Sequence, residues 1–113
     1  MIAVIFEVWI KPDRRRDYLD IAQQLISELE TIDGFVSIER FQSLSDSEKL
    51  LSLSLWRDEE AVRRWRNHSE HRIAQRKGCQ SIFRDYRLRV VSVIRDYGMD
   101  NREQAPSDQE GPA

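Results

Sequence analysis

Between Ile2 and Ile10 the chain alternates. Ile2, Val4, Phe6, Val8 and Ile10 share one side, and Ala3, Ile5, Glu7 and Trp9 the other. A period of two with β-branched and aromatic residues predicts a strand, and Pro12 ends its pairing. The period then changes. Tyr18, Ile21, Ala22, Leu25, Ile26, Leu29 and Ile32 recur at three- and four-residue steps, the mark of one helical face. Asp13 is the expected N-cap and Gly34 the expected stop of a helix about five turns long. Phe35 to Ser43 predicts a second strand, with Phe35, Val36, Ile38 and Phe41 as its apolar members. Ser45-Asp46-Ser47 is turn chemistry. Lys49 to Trp56 predicts a third strand, with Leu51, Leu53 and Leu55 facing one way and Ser52, Ser54 and Trp56 the other.

Asp58 caps the next helix, with Glu59 and Glu60 favourable in its first turn. Ala61, Val62 and Trp65 form its apolar stripe, with a break expected at Asn67-His68-Ser69. Ser69 is available to cap the restart, and Gly78 closes the segment. Ile82 to Tyr97 reads as one long strand, with Tyr86, Leu88, Val90, Ser92 and Ile94 on one face. Arg87, Arg89, Val91, Val93 and Arg95 are on the other. At roughly 3.3 Å per residue it would span about 50 Å, more than a small sheet needs.

The order β-α-β-β-α-β predicts an α+β, ferredoxin-like fold: a four-stranded antiparallel sheet with its helices on one face. The other face carries apolar groups such as Trp9, Trp56, Val91 and Val93, depending on register. A second copy of the sheet is the economical cover, which predicts a homodimer and a dimeric α+β barrel.

Composition narrows this reading. The 113 residues suit one domain, and 40% hydrophobic with 34% charged residues suits a soluble, globular one. There is no run of 18 apolar residues, so no membrane partner is expected. The first residues lack a basic segment and Glu7 interrupts their apolar run, so no secretory signal is expected. The one cysteine, Cys79, cannot form an intrachain disulfide, and the expected location is cytoplasmic. Net charge is −2. The last fifteen residues hold Asp100, Glu103, Asp108 and Glu110 against Arg102, which leaves the body near +1. That excess is too small to predict nucleic acid binding. Residues 1–98 read as the folded domain and 99–113 as a disordered acidic tail.

Candidate chemistry gathers in one stretch. Residues 54–75 hold Trp56, Trp65 and both histidines, His68 and His71. Trp65 reads either as core or as the wall of a small-molecule pocket. Trp56 closes a strand, and its core reading is the stronger one beside pocket lining. Tyr86 could hydrogen-bond a phenolic ligand or pack in the core. A base near neutral pH could be His68 or His71 equally. Two histidines three apart do not complete a zinc site, so no metal is expected. There is no dinucleotide or phosphate-binding glycine motif and no nucleophile elbow, so no cofactor is expected.

Several segments resemble the antibiotic biosynthesis monooxygenase family over about residues 2–98. They are Leu53-Ser54-Leu55-Trp56, Asp58-Glu59-Glu60, and Trp65-x-x-His68-x-x-His71-x-x-Ala74-Gln75. Phe83-x-Asp85-Tyr86 and Val93-Ile94-Arg95-Asp96-Tyr97-Gly98 extend the likeness. The resemblance implies a dimeric α+β barrel and a cofactor-independent monooxygenase. Such enzymes use O2 on a small electron-rich aromatic or quinol-type substrate, whose carbanion itself reduces O2. It implies catalytic roles for His68, His71 and Trp65, and substrate contacts from Trp56, Trp65 and Tyr86. A haem-degrading branch of the family uses a strand-one Asn, a helix Trp and a His ten residues later. Here Trp65 matches, but the position ten on is Gln75 and strand one offers Glu7 and Val8. Glutamine is not a normal haem ligand. The competing reading is a non-catalytic dimeric protein that holds a small ligand in the same barrel.

Overall fold

β1 (Ile2–Ile10) lies inside the sheet because it finds partners on both edges. In the computed structural model, which describes residues 1–77 and 81–108, β3 (Lys49–Trp56) pairs one edge and β4 (Phe83–Ser92) the other. β2 (Phe35–Gln42) pairs the free edge of β3, so the strand order is β2-β3-β1-β4. All three ladders are antiparallel. Helices α1 (Arg15–Leu29), α2 (Glu59–Arg66) and α3 (Ser69–Lys77) complete the ferredoxin-like α+β order.

The register fixes which residues meet the helices. Val4 pairs Ser54 and Val90, and Phe6 pairs Ser52 and Leu88, so these six share one face with Ile38 and Arg40 of β2. Two core clusters sit there. Val8, Ile10, Tyr18, Leu50 and Ile82 form one; Leu29, Trp56 and Ala61 form the other, with Ile2, Phe35 and Ile32 against it. Trp56 is therefore on the helix face, 1% exposed, and does not join Trp9 on the outer face. The strand's alternation places it with Ser52 and Ser54, and Phe35 packs edge-on to its ring at 5.2 Å. The outer face carries Ala3, Ile5, Glu7 and Trp9, then Leu51, Leu53 and Leu55, then Arg87, Arg89 and Val91.

Three expectations are corrected. Asp13 is not the cap of α1: it has φ 69°, and the helix enters through Arg14 with no side-chain cap. The Pro12-Asp13 corner turns the chain first, with Arg14 N–H donating to Lys11 O. Gly34 is not the helix stop, since α1 ends at Leu29 and a Glu28–Ile32 turn intervenes. Its φ of 94° instead swings the chain into β2. Nor does β4 run to Tyr97. Its ladder ends where β1 begins, at the Ile2–Ser92 pair, with one further bond from Val93 N–H to Met1 O. Beyond that the chain turns, Gly98 N–H donating to Asn101 O and Asp96 N–H to the Gln104 side chain.

The break after α2 falls where expected. Asn67 N–H donates to Arg63 O, and α3 restarts at Ser69. Asp58 caps α2 through a 2.9 Å bond from Ala61 N–H. Gly78, Cys79 and the side chains of Ser69 and Gln75 lie outside the described residues. Among the described residues no helix is long and apolar enough to cross a membrane.

Candidate functional site

Small side chains on a core-facing surface leave space. Ser52 and Ser54 of β3 occupy the helix face, each 6% exposed, and Ala22 faces them from α1. A cavity of about 230 Å³ results between the sheet and all three helices. At the liquid share of about 30 Å³ per water this is roughly eight waters' worth, enough for one small molecule. Its walls are mostly apolar: Val4, Phe6, Ile21, Leu25, Leu29, Ile38, Val62, Leu88 and Val90 among them. Polar side chains in the wall include Ser52, Ser54, Arg40, Arg66, His71 and Tyr86. An apolar chamber with a few converging polar groups is the usual build of a ligand site.

Four of the five residues singled out in the sequence meet here. Trp56, Trp65, His71 and Tyr86 all line the cavity. Trp56 is anchored by its own strand, its indole N–H donating to Ser54 Oγ at 2.9 Å. Having accepted that bond, the Ser54 hydroxyl keeps its proton to donate. Tyr86, 43% exposed on the edge strand, stands at the rim, with Phe6 5.7 Å away and Phe83 6.2 Å away between ring centres. Trp65 presents its indole to both histidines, with centroids 4.8 Å from His71 and 5.5 Å from His68. His68 is directed to α1, its Nε2 3.5 Å from Glu28 Oε2.

His71 is the more unusual of the pair. Its Nδ1 is buried with no hydrogen-bond partner. Burial pushes its pKa below the ordinary histidine value, against a hydrogen bond to the Arg66 backbone and with a smaller push from His68. In the neutral ring with its proton on Nε2, Nδ1 carries the lone pair a general base needs.

Arg40 is the site residue that sequence reasoning missed. It stands across the β2–β3 ladder from Ser52, lines the cavity, and has its Nε buried without a partner. The apolar residues of β2 fall on both faces, Ile38 inward and Phe41 outward, so alternation gave no sign of which side Arg40 takes. Among the described residues, no group of three or more His, Cys, Asp or Glu side chains could hold a metal ion.

Known proteins resemble the chain throughout this region. The family model of the antibiotic biosynthesis monooxygenases matches residues 1–77. A Pyricularia oryzae protein named jasmonate monooxygenase is 47% identical over 93 residues, which are 82% of this chain and 43% of that protein. The chain thus spans under half the length of that relative. An uncharacterised Bacillus subtilis protein, YqjZ, is 29% identical over 82% of this chain and 79% of its own. The solved structure of Rv0793 from Mycobacterium tuberculosis shares the fold, with a TM-score of 0.77 at 18% identity. It covers 86% of this chain and 98% of that one.

Proposed function

We propose, since this chain belongs to the antibiotic biosynthesis monooxygenase family, that it is a cofactor-independent monooxygenase for a small electron-rich aromatic or quinol-type substrate. The single observation that carries this reading is the buried, unpartnered Nδ1 of His71 inside an apolar cavity beside Trp65. Such a nitrogen can take a proton from an activated ring carbon held against the apolar walls.

The reaction balances without a further reductant. His71 removes one proton from an activated CH2 group. The carbanion passes one electron to O2, and the resulting carbon radical and superoxide join as a peroxide anion. His71 returns its proton to that peroxide. Loss of the second C–H proton together with hydroxide from the O–O bond leaves C=O and one water. The carbon loses four electrons and one O2 gains four. In this scheme Trp65, Trp56 and Tyr86 hold the aromatic substrate. His68, stacked on the same indole and tied to Glu28, is a positioning residue.

The reading extends to a homodimer, whose second sheet would cover the outer face. The named activity of the Pyricularia relative supports the reaction class. The test is O2 uptake by metal-stripped protein over a panel of anthrone, 1,4-dihydroxynaphthalene and jasmonate, repeated in 18O2. Uptake that places one labelled atom in the product is expected. No uptake across the panel would overturn the reading.

A further inference from the structure

Six of the fifteen arginines meet acids, and most of the others are exposed. Arg57 meets Asp33 and Asp58, Arg63 meets Glu60, Arg84 meets Glu48, and Arg89 meets Glu7. Arg40 does not. It has no ion pair among the described residues, although its Nε is shut away from water. Its chain neighbour Glu39 pairs with Leu53 in the ladder and so belongs to the opposite face. The cavity has no carboxylate in its described walls, while Arg40 and Arg66 both contribute to it. Arg40 as a whole is half-buried, its guanidinium stays charged, and its Nε–H has no acid to match it.

From this we infer that the cavity takes an apolar monocarboxylate and that Arg40 is the residue that binds its carboxylate. Planar, forked N–H groups fit a carboxylate in two parallel hydrogen bonds, which a lone ammonium does not. Help is close by. Ser52 faces Arg40 across the ladder, and Ser54, two residues on, has a hydroxyl proton free to donate once its oxygen has accepted the Trp56 indole. The carboxylate would give the Arg40 Nε–H the partner it lacks, and the apolar walls would take the rest of the ligand. A neutral analogue of the same shape leaves the guanidinium unmatched, and that penalty is the source of selectivity. Arg66 is exposed at the cavity rim and can draw anions inward, but it is not shut away from water as Arg40 Nε is.

The inference rests on the cavity being the substrate site, and binding of unreactive probes tests it apart from turnover. Calorimetry with 2-naphthoate and 2-naphthamide at pH 7 compares an ionised acid with its neutral amide. Wild-type protein is expected to prefer naphthoate by about tenfold or more. Arg40→Met is expected to erase the preference, Arg40→Lys to keep part of it, and Arg66→Met to keep nearly all. Thermal melts of each variant report folding, and Arg40→Lys keeps the test open if Arg40→Met melts early. Equal affinity for acid and amide, no binding of either, or a preference lost in Arg66→Met but kept in Arg40→Met would each overturn the assignment. Failure of O2 uptake with naphthoate selectivity intact would defeat the oxygenase reading and leave this one standing.

Discussion

The two histidines differ at the scale of single atoms, and that difference has a pH consequence. His71 must be neutral to act as a base, and burial holds its pKa below the usual 6.5. Activity is therefore expected to stay level down through pH 6.5 and to fall only at more acid values. Trp65→Ala would admit water beside the ring, weaken the burial effect and move that acid limb upward towards 6.5. A pH profile of kcat/KM for both proteins checks the direction. His71→Gln should lower kcat by about 10²–10⁴-fold, the usual worth of a general base, with little change in melting. The linkage has the matching sign. The folded state disfavours the protonated ring, so this contribution to stability is intact above about pH 6.5 and is lost as pH falls through the lower folded value. In the sequence the two histidines were equivalent, because a three-residue step puts both on one helical face. The break at Asn67 separates them: His68 lies between α2 and α3 and turns to Glu28, while His71 lies within α3. Arg40 was not legible at all, since an arginine on an irregular edge strand looks like solvent-facing charge.

At the scale of elements the periodic segments were legible and their ends were not. The stripe from Tyr18 to Leu29, the serine–leucine alternation of β3 and the double helix after Asp58 are read directly from spacing. A hydrophobic period is set by packing along the whole element, whereas an end is set by local hydrogen bonds and by the partner strand. That is why β4 stops with β1 instead of following its own apolar pattern. Gly34 shows the same limit. Glycine after a helical stripe suggests a stop, yet here it serves the close approach of α2 to the start of β2. A Cβ at Gly34 would lie 2.7 Å from Ala61 Cβ, and its φ of 94° is one that side chains rarely adopt. Gly34→Ala should therefore cost about 1–3 kcal/mol, from left-handed backbone strain and the clash together. Denaturant titration should show a lower midpoint with an unchanged slope. A neutral result would mean that α2 yields without cost. The cavity wall carrying Trp65 would then be softer than its packing implies.

At the scale of the whole molecule the inverted polarity of β3 is the main organising fact. Its serines face the helices and make room for the cavity, while Leu51, Leu53 and Leu55 face outward. Leu51, Leu53 and Leu55, with Ile5, Ala3 and Val91, form an apolar field that no described helix covers. Beside this field Glu7 meets Lys49 at 2.6 Å and also Arg89, and Lys49 lies over the Trp9 ring, while the exposed Arg87 and Glu39 of the same face have no ion pair among the described residues. Those contacts hold the Glu7 carboxyl below its ordinary range, the Lys49 bond foremost. A second sheet laid on this face would bury the Glu7, Lys49 and Arg89 group with its pairing in place, which lowers the cost of covering it. A homodimer is thus the expected state, and light scattering should give twice the chain mass of 13.4 kDa. Leu53→Asp puts an unpaired carboxylate beside Ile5, its ladder partner, in the middle of the field. It is expected to yield folded monomer at micromolar concentration. The cavity lies on the opposite face, so naphthoate binding should survive in that monomer if one chain builds the site alone. Loss of binding with dimerisation would mean instead that the partner completes the rim near the exposed Tyr86, Leu88 and Val90. A wild-type protein of single-chain mass would refute the covered face altogether.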